Sequence, residues 1–429
     1  MEEVSTAVAG PPPARPVPPP RRPSRGGSRR PPRPVPAALR RAGTLDGLAV
    51  AALAAGVLFV ATGLLPAADA LATVRRTGPL LVFLVAVVVL AELTARAQVF
   101  DAVAVRIAIL GRGRRWALFA LLVTFATLTT IFLNLDTTAV LLTPVMLAVA
   151  ARLGLAALPL AMTTVWLANT ASLLLPVSNL TNLLAADRLG LPVAAFAGRM
   201  AGPQLVAVLA TAACLWLLHW RRDAAARYPV PVPHRPADPV LFRVAAAACV
   251  LFVAGIVAGV PLAAVSVAGA VVVLVAFAVR DRAAFRWSLL PWRLPVLVTG
   301  LFLIVETVGR HGLSSLLAGL VGTDPGPAGI GLAAAVGAVL ANVLNNLPAY
   351  VAGEAVVPAG HTDQLLGLLI GVNAGPLVLP WASLATLLWL ERCRAAGLAV
   401  PWRRFLLTGL VTAVVVLATA VPALLLTAG

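Results

Sequence analysis

The chain has 429 residues, 60% of them hydrophobic and only 11% charged. A soluble protein of this length cannot bury so much apolar side chain, so lipid is its expected solvent. The formal net charge of +17 rests on Arg alone, 33 Arg and no Lys, a bias we attribute to a GC-rich bacterial genome and not to function.

Residues 1–44 are rich in Pro and Arg, with nine Arg against two Glu and no apolar run that could act as a signal peptide. They read as a disordered basic tail. Beside a membrane such a tail marks the cytoplasmic side and touches anionic headgroups, so no nucleic-acid partner is read from it. Residues 45–220 then form a first transmembrane repeat, with spans near 45–65, 79–95 and 203–220. Between them lie a hairpin at 116–151 and a span at 158–186 broken by a proline. Residues 221–261 are a linker that carries one extra span, 240–259. A second repeat fills 262–429, with spans at 262–280, 294–310 and 405–427, a hairpin at 327–360 and a broken span at 364–390.

A bilayer core needs about 20 apolar residues in a helix. Each hairpin consists of two arms, marginally short for a span, on either side of polar residues: Asn134-Leu-Asp136-Thr-Thr in the first and Asn345-Asn346-Leu-Pro348 in the second. Read as re-entrant, they give a layout that the distribution of Arg supports. With the N-terminus inside, 28 Arg are cytoplasmic and five (Arg75, Arg76, Arg188, Arg199 and Arg310) lie outside. The C-terminus is then outside.

Three landmarks occur twice in the same order. Glu92 and Arg96 match Glu306 and Arg310, an acid and a base one helical turn apart. Asn134 matches Asn345. Asn169-x3-Leu-x-Leu-Pro176-x3-Leu-x2-Leu-Leu184 matches Asn373-x3-Leu-x-Leu-Pro380-x3-Leu-x2-Leu-Leu388. An odd number of crossings separates the copies, so the second is expected to be inverted. The fold class is thus an all-α polytopic membrane protein, an inverted repeat with two re-entrant hairpins and two broken transmembrane helices.

Non-helical backbone survives at membrane depth only where protein buries it or where it lines a wet cavity. Pro176 and Pro380 each remove a helix hydrogen bond. Ser178, Asn179, Thr181 and Asn182 follow the first break, and Ser383 and Thr386 the second. With Asn134, Thr137, Thr138, Asn345 and Asn346 at the hairpin tips, and Asn169 and Asn373 ahead of the prolines, they are the candidate solute-binding residues, weighted toward the first repeat. Any one of them could equally be glue between helices, but scattered glue does not repeat in register. Asp136, with no base nearby in sequence, is the candidate proton-coupling residue; capping the second arm is its bland alternative. Glu92 and Glu306 read as structural pairs with their arginines, and Glu354 stays ambiguous.

Cys214, Cys249 and Cys393 lie far apart, and His219, His234, His311 and His361 are scattered. Neither a disulfide framework nor a metal site is expected, and no cofactor. There is no Gly-x4-Gly-Lys-Ser/Thr phosphate loop and no nucleophile-base motif, so the chain reads as a carrier and not an enzyme.

The segments Asn134-Leu-Asp-Thr-Thr-Ala-Val-Leu-Leu-Thr-Pro144, Asn169 to Asn182, Asn345-Asn-Leu-Pro348 and Gly375 to Trp389 resemble those of the arsenite efflux permeases, arsenical pump membrane proteins of the ion transporter superfamily. The resemblance covers roughly residues 45–429. It implies an elevator-type carrier in a bacterial cytoplasmic membrane, whose moving part is the hairpins and broken spans and which exports arsenite or antimonite in exchange for protons. A soluble arsenite-stimulated ATPase and a homodimer are the partners it leaves open. The Ser-Asn-Thr tips of dicarboxylate symporters are absent. Leu135 stands between Asn134 and Asp136, where the permeases often place Asn directly before Asp. Two other readings stay open: a sodium- or proton-coupled transporter of dicarboxylate, citrate or sulfate, and the membrane subunit of an ATPase-driven metalloid pump.

Overall fold

A computed structural model describes residues 44–223, 226–233, 235–284, 289 and 291–427. The basic tail and His234 lie outside the described residues. Among those described there is no strand, only one isolated bridge between Arg114 and Arg227. Among the described residues nine helices are long and apolar enough to cross a membrane.

The chain starts with α1 (Thr44–Ala61) and α2 (Ala67–Arg96). The second helix begins twelve residues before the expected span at 79, because its first turns carry Asp69, Arg75 and Arg76, which read as a loop. Two of these polar groups have partners: Arg310 pairs with Asp69 at 3.0 Å and Arg76 with Glu354 at 3.2 Å. A short helix that the sequence did not suggest, α3 (Val99–Leu110), leads into α4 (Arg115–Leu133). One residue, Asn134, separates α4 from α5 (Leu135–Thr137), which passes through a π-turn at Thr138–Leu142 into α6 (Thr143–Leu153).

The first broken segment is α7 (Ala157–Thr170) followed by α8 (Leu180–Leu189), and α9 (Val193–Leu215) closes the first half. Next comes α10 (Pro239–Val257), which Asp238 caps by accepting from the amides of Val240 (2.8 Å) and Leu241 (3.1 Å). Arg280, the last residue of α11 (Leu262–Arg280), donates to the same carboxylate at 2.8 Å. That guanidinium, aided by the two amides, holds the Asp238 carboxyl below the usual carboxylate range. The rest of the chain comprises α12 (Arg293–Val308), α13 (Ser314–Val321), α14 (Pro327–Leu344), α15 (Asn346–Glu354), α16 (Thr362–Ala374), α17 (Leu384–Ala395) and α18 (Trp402–Thr427).

The hairpin arms differ from expectation. α4 has 19 residues, and Leu135–Leu153 forms a second run of 19 that is less apolar but still apolar enough to cross a membrane. Each rises about 28 Å at about 1.5 Å per residue, a full span and not a short arm. The polar stretch Asp136-Thr-Thr caused the misreading: it stays helical, so only Asn134 interrupts the run. In the second pair, α14 is of span length while α15 has nine residues and is short.

Packing exchanges the two halves. α1 lies against α12 and α11 against α2, while α9 lies against α18. The tightest contact is α14 on α16, where glycines recur every fourth residue and so share a face. A Cβ at Gly367, Gly371 or Gly375 would press on the carbonyl oxygens of Ile330, Ala334 and Ala338 in turn. Small residues let helix backbones approach closely in lipid, where apolar burial alone does not drive association. Gly371→Ala is therefore expected to destabilise by about 1–3 kcal/mol. Gly331→Ala, whose new methyl would meet nothing within 4 Å, is expected to be neutral. Thermal unfolding of the detergent-solubilised variants compares the two.

Candidate solute site

Each hairpin tip turns on an asparagine with positive φ: Asn134 has φ 79°, ψ 166° and Asn345 has φ 103°, ψ 152°. For a residue with a Cβ this region costs on the order of 1–3 kcal/mol. Asparagine offsets that by capping the next helix. Asn134 Oδ1 accepts from the Thr137 amide at 2.9 Å, and its carbonyl accepts from Thr138 N at 3.1 Å and Thr138 Oγ1 at 2.8 Å. Asn345 Oδ1 accepts from Leu347 N at 3.3 Å, and its Nδ2 donates to the Trp381 carbonyl at 2.9 Å. Asn134→Gly keeps the backbone freedom and loses the cap, whereas Asn134→Ala loses both. The alanine variant is expected to cost about 2 kcal/mol and the glycine variant a few tenths, read as a difference in unfolding temperature.

The broken segments open before their prolines. α7 stops at Thr170 and α8 starts at Leu180; α16 stops at Ala374 and α17 starts at Leu384. A proline drives the residue before it out of helical space, and Leu175 (φ −117°, ψ 150°) and Leu379 (φ −108°, ψ 143°) are extended accordingly. Freed backbone groups then need partners. Two side chains that sequence reasoning missed supply them. From α9, Gln204 accepts from Leu173 N and donates to the Ala171 carbonyl, both at 2.9 Å. From α14, Asn342 donates to the Gly375 carbonyl at 2.9 Å and accepts from Leu379 N at 3.1 Å. The readable signal was an amide side chain in each of two otherwise apolar runs.

Carbonyls one turn before each tip are bonded from the neighbouring break. Ser178 Oγ donates to the Ile131 carbonyl at 2.7 Å, and Trp381 Nε1 to that of Asn342 at 2.9 Å. Hairpin and broken segment are thereby tied together in both halves.

Behind the tips the two breaks cross. Asn373 Oδ1 accepts from Asn179 Nδ2 at 2.7 Å and from Thr181 Oγ1 at 3.1 Å, while its Nδ2 donates to Asn182 Oδ1 at 3.0 Å. In the matching place Asn169 Nδ2 donates to Thr386 Oγ1 at 3.3 Å. Asn169 and Asn373 are equivalent in the sequence repeat, as are Asn182 and Thr386. Each half's asparagine therefore reaches the other half's break. Asn182 also donates to the Ser172 and Leu175 carbonyls (2.5 and 3.0 Å), and Ser383 Oγ shares a hydrogen bond with Thr386 Oγ1 at 2.9 Å.

These bonds sort the expected residues. Thr138, Asn169, Ser178, Thr181, Asn182, Asn373, Ser383 and Thr386 are buried and engage one another or the backbone. A cavity of about 210 Å³ lies in front of them, and all four breaks contribute to its wall: Asp136, Asn179, Asn345 and Asn346, with Leu384 from the start of α17. Leu84 of α2 and Leu297 and Leu301 of α12 face them. The polar groups are shared evenly between the halves, not weighted toward the first. Among the described residues no basic side chain lines this cavity.

Asp136 also lines a second, wider cavity of about 340 Å³, with Thr137. Its Oδ1 is buried with no hydrogen-bond partner, and the cap that could have explained it is made by Asn134. A buried acceptor left unpaired costs about 1–3 kcal/mol, which a proton or a donor from a solute would relieve. Among the described residues no cluster of His, Cys, Asp or Glu could hold a metal ion.

Long apolar helices around a polar cavity built where helices break make this a multi-pass membrane transporter. The chain belongs to the citrate transporter family, whose model matches residues 47–386. It is 31% identical over 370 residues to the arsenical pump membrane protein of Yersinia enterocolitica, covering 80% of this chain and 85% of that one. The protein of the same description from Escherichia coli K12 is 29% identical over 369 residues, with the same coverage. In fold it is similar to the crystal structure of the Alcanivorax borkumensis YdaH transporter, described as having an unusual topology. The TM-score is 0.54 at 13% identity, with 89% of this chain and 96% of that one covered.

Proposed function

We propose that the chain exports arsenite or antimonite in exchange for protons across the bacterial cytoplasmic membrane, as a secondary active carrier and not an enzyme. One observation carries this reading: the cavity where four helix breaks meet offers three amide side chains and one carboxylate and, among the described residues, no positive charge. Arsenite at neutral pH is mainly the uncharged trihydroxide. Its hydroxyls donate and accept, as amides do, and an ionised Asp136 would accept from one of them. A proton on Asp136 removes that acceptor, so solute and proton exclude each other. That exclusion is the condition for exchange. The names of the relatives support the substrate class.

A sodium- or proton-coupled citrate or other anion transporter is favoured by the family model's description. A multivalent anion, however, would recruit arginine forks, and the cavity has none.

The elevator reading comes from the family resemblance, and the inverted-repeat reading is supported by the exchanged packing of α1 with α12 and α11 with α2. Reciprocal contacts of this kind imply a two-fold relation, and the odd number of crossings between the copies inverts one of them. α3 touches both α4 and α6, as expected where the two ends of the first hairpin lie on one side. We place the N-terminus in the cytoplasm and the C-terminus outside on the arginine distribution. An arsenite-stimulated ATPase or a second copy of the chain would be found by co-purification and cross-linking.

Inverted vesicles separate the readings. Uptake of arsenite and antimonite driven by a proton gradient and indifferent to sodium is expected. Sodium-dependent uptake of citrate or succinate, without arsenite, would replace this reading by the anion one.

A further inference from the structure

Asp136 stands in the wall between two cavities, and the wider one leads away from the solute cavity. Two helix faces run from one to the other. On α2 the face is Leu84, Val88, Glu92, and on α17 it is Leu384, Leu388, Glu391; the first residue of each lines the solute cavity, the last two the wider one. Spacings of four, three and seven or eight residues keep each set on one side of its helix. At about 1.5 Å per residue the carboxylates lie roughly 10–12 Å beyond the solute cavity along these helices. Among the described residues the other charged groups on the wider cavity are Asp136, Arg293 and Arg392, and Arg96 stands beside Glu92. Arg96, Arg293 and Arg392 all belong to the arginine-rich side of the layout.

The two carboxylates differ. Glu92 accepts from Arg96 Nε at 3.3 Å, whereas Glu391 is exposed at the cavity mouth. With an exposed carboxylate at one end, an unpaired buried carboxylate oxygen at the other and about 340 Å³ between, the space has room and polar partners for water.

We propose that this wider cavity is a separate cytoplasmic outlet for the coupling proton, and that Glu391 relays the proton from Asp136 to bulk water. The O–H bond of protonated Asp136 breaks. Its proton passes through water to the Glu391 carboxylate, where a new O–H forms and is then lost to the cytoplasm. Asp136 is left ionised, ready to accept from the next solute. The outlet rests on the carrier reading proposed above but not on its substrate, because the proton leaves by a path that the solute does not occupy.

The test compares two modes of transport in inverted vesicles. Glu391→Gln is expected to slow net solute uptake driven by a proton gradient by roughly 100-fold, the lower end of what a positioned proton-transfer group contributes, with the KM for arsenite unchanged. Arsenite-for-arsenite exchange, in which Asp136 never needs to release a proton, should keep its rate. Glu391→Asp, or added imidazole as a mobile proton acceptor, should restore much of the net flux. Equal loss of net flux and exchange, or unaltered net flux, would overturn the relay. If the wild-type protein carries citrate and not arsenite, the substrate reading fails, while the same comparison made with citrate still decides the relay.

Discussion

Asp136→Asn is expected to abolish net, proton-driven solute transport while leaving the protein folded and at the membrane. Asparagine keeps the size of the side chain, and the tip is capped by Asn134, whose bonds to Thr137 and Thr138 do not involve Asp136. What the variant loses is titration. Its side chain cannot alternate between a form that receives a hydroxyl donor and a form that carries a proton. Since the Oδ1 position is buried and unpaired, replacing a charge there by a neutral amide should raise stability slightly or leave it unchanged. Loss of net flux with retained solute-for-solute exchange is the expected pattern, measured in vesicles with and without a proton gradient. Full proton-dependent activity in Asp136→Asn would remove the residue from the coupling step.

Asn373→Leu should be among the most destabilising single changes in the protein. The Asn373 side chain makes three buried hydrogen bonds, to Asn179, Thr181 and Asn182. Leucine has the same number of side-chain heavy atoms and the same branching but is bulkier, so no cavity is formed, yet all three partners lose their bond to this side chain in a region where water cannot replace it. Each orphaned group costs about 1–3 kcal/mol, and the sum, reduced by relaxation, is several kcal/mol. Asn179 also lines the solute cavity, so transport should fail even where enough protein folds. Asn169→Leu should cost less, because its Nδ2 bonds the Val165 carbonyl in its own helix at 2.9 Å and only Thr386 across the interface. Thermal unfolding midpoints of the two variants in one detergent rank them. An Asn373→Leu protein as stable as the parent would show that the crossed amides are not what holds the two breaks together.

The apolar spans, both helix breaks and both hairpin tips were legible in the sequence because each rests on a local rule. Apolar runs of about 20 residues signal helices in lipid, proline ends them, and asparagine tolerates positive φ. The repeated motif around Asn169 and Asn373 was legible for the same reason. Partners were not. Asn182 and Asn373 are 191 residues apart in the chain, and no local pattern says that one will spend its amide on the other. Eight of the candidate binding residues therefore turned out to be joined to one another or to backbone, and three (Asn179, Asn345 and Asn346), with Asp136, line the cavity in front of them. Gln204 and Asn342 were missed because a lone amide in an apolar run is ordinarily helix glue; here each serves the backbone of a broken segment. The start of α2 was lost to its charges, Asp69 and Arg76, whose partners Arg310 and Glu354 lie more than 200 residues on.

The proposed exchange of solute for proton at Asp136 is tested in liposomes that contain the purified protein, arsenite and a pH-sensitive dye, diluted into arsenite-free medium. Arsenite leaving down its gradient should draw protons inward and acidify the lumen, with no sodium present and with no acidification for Asp136→Asn. Arsenite efflux without acidification, or efflux that requires sodium, would contradict a carrier in which the two compete for one carboxylate.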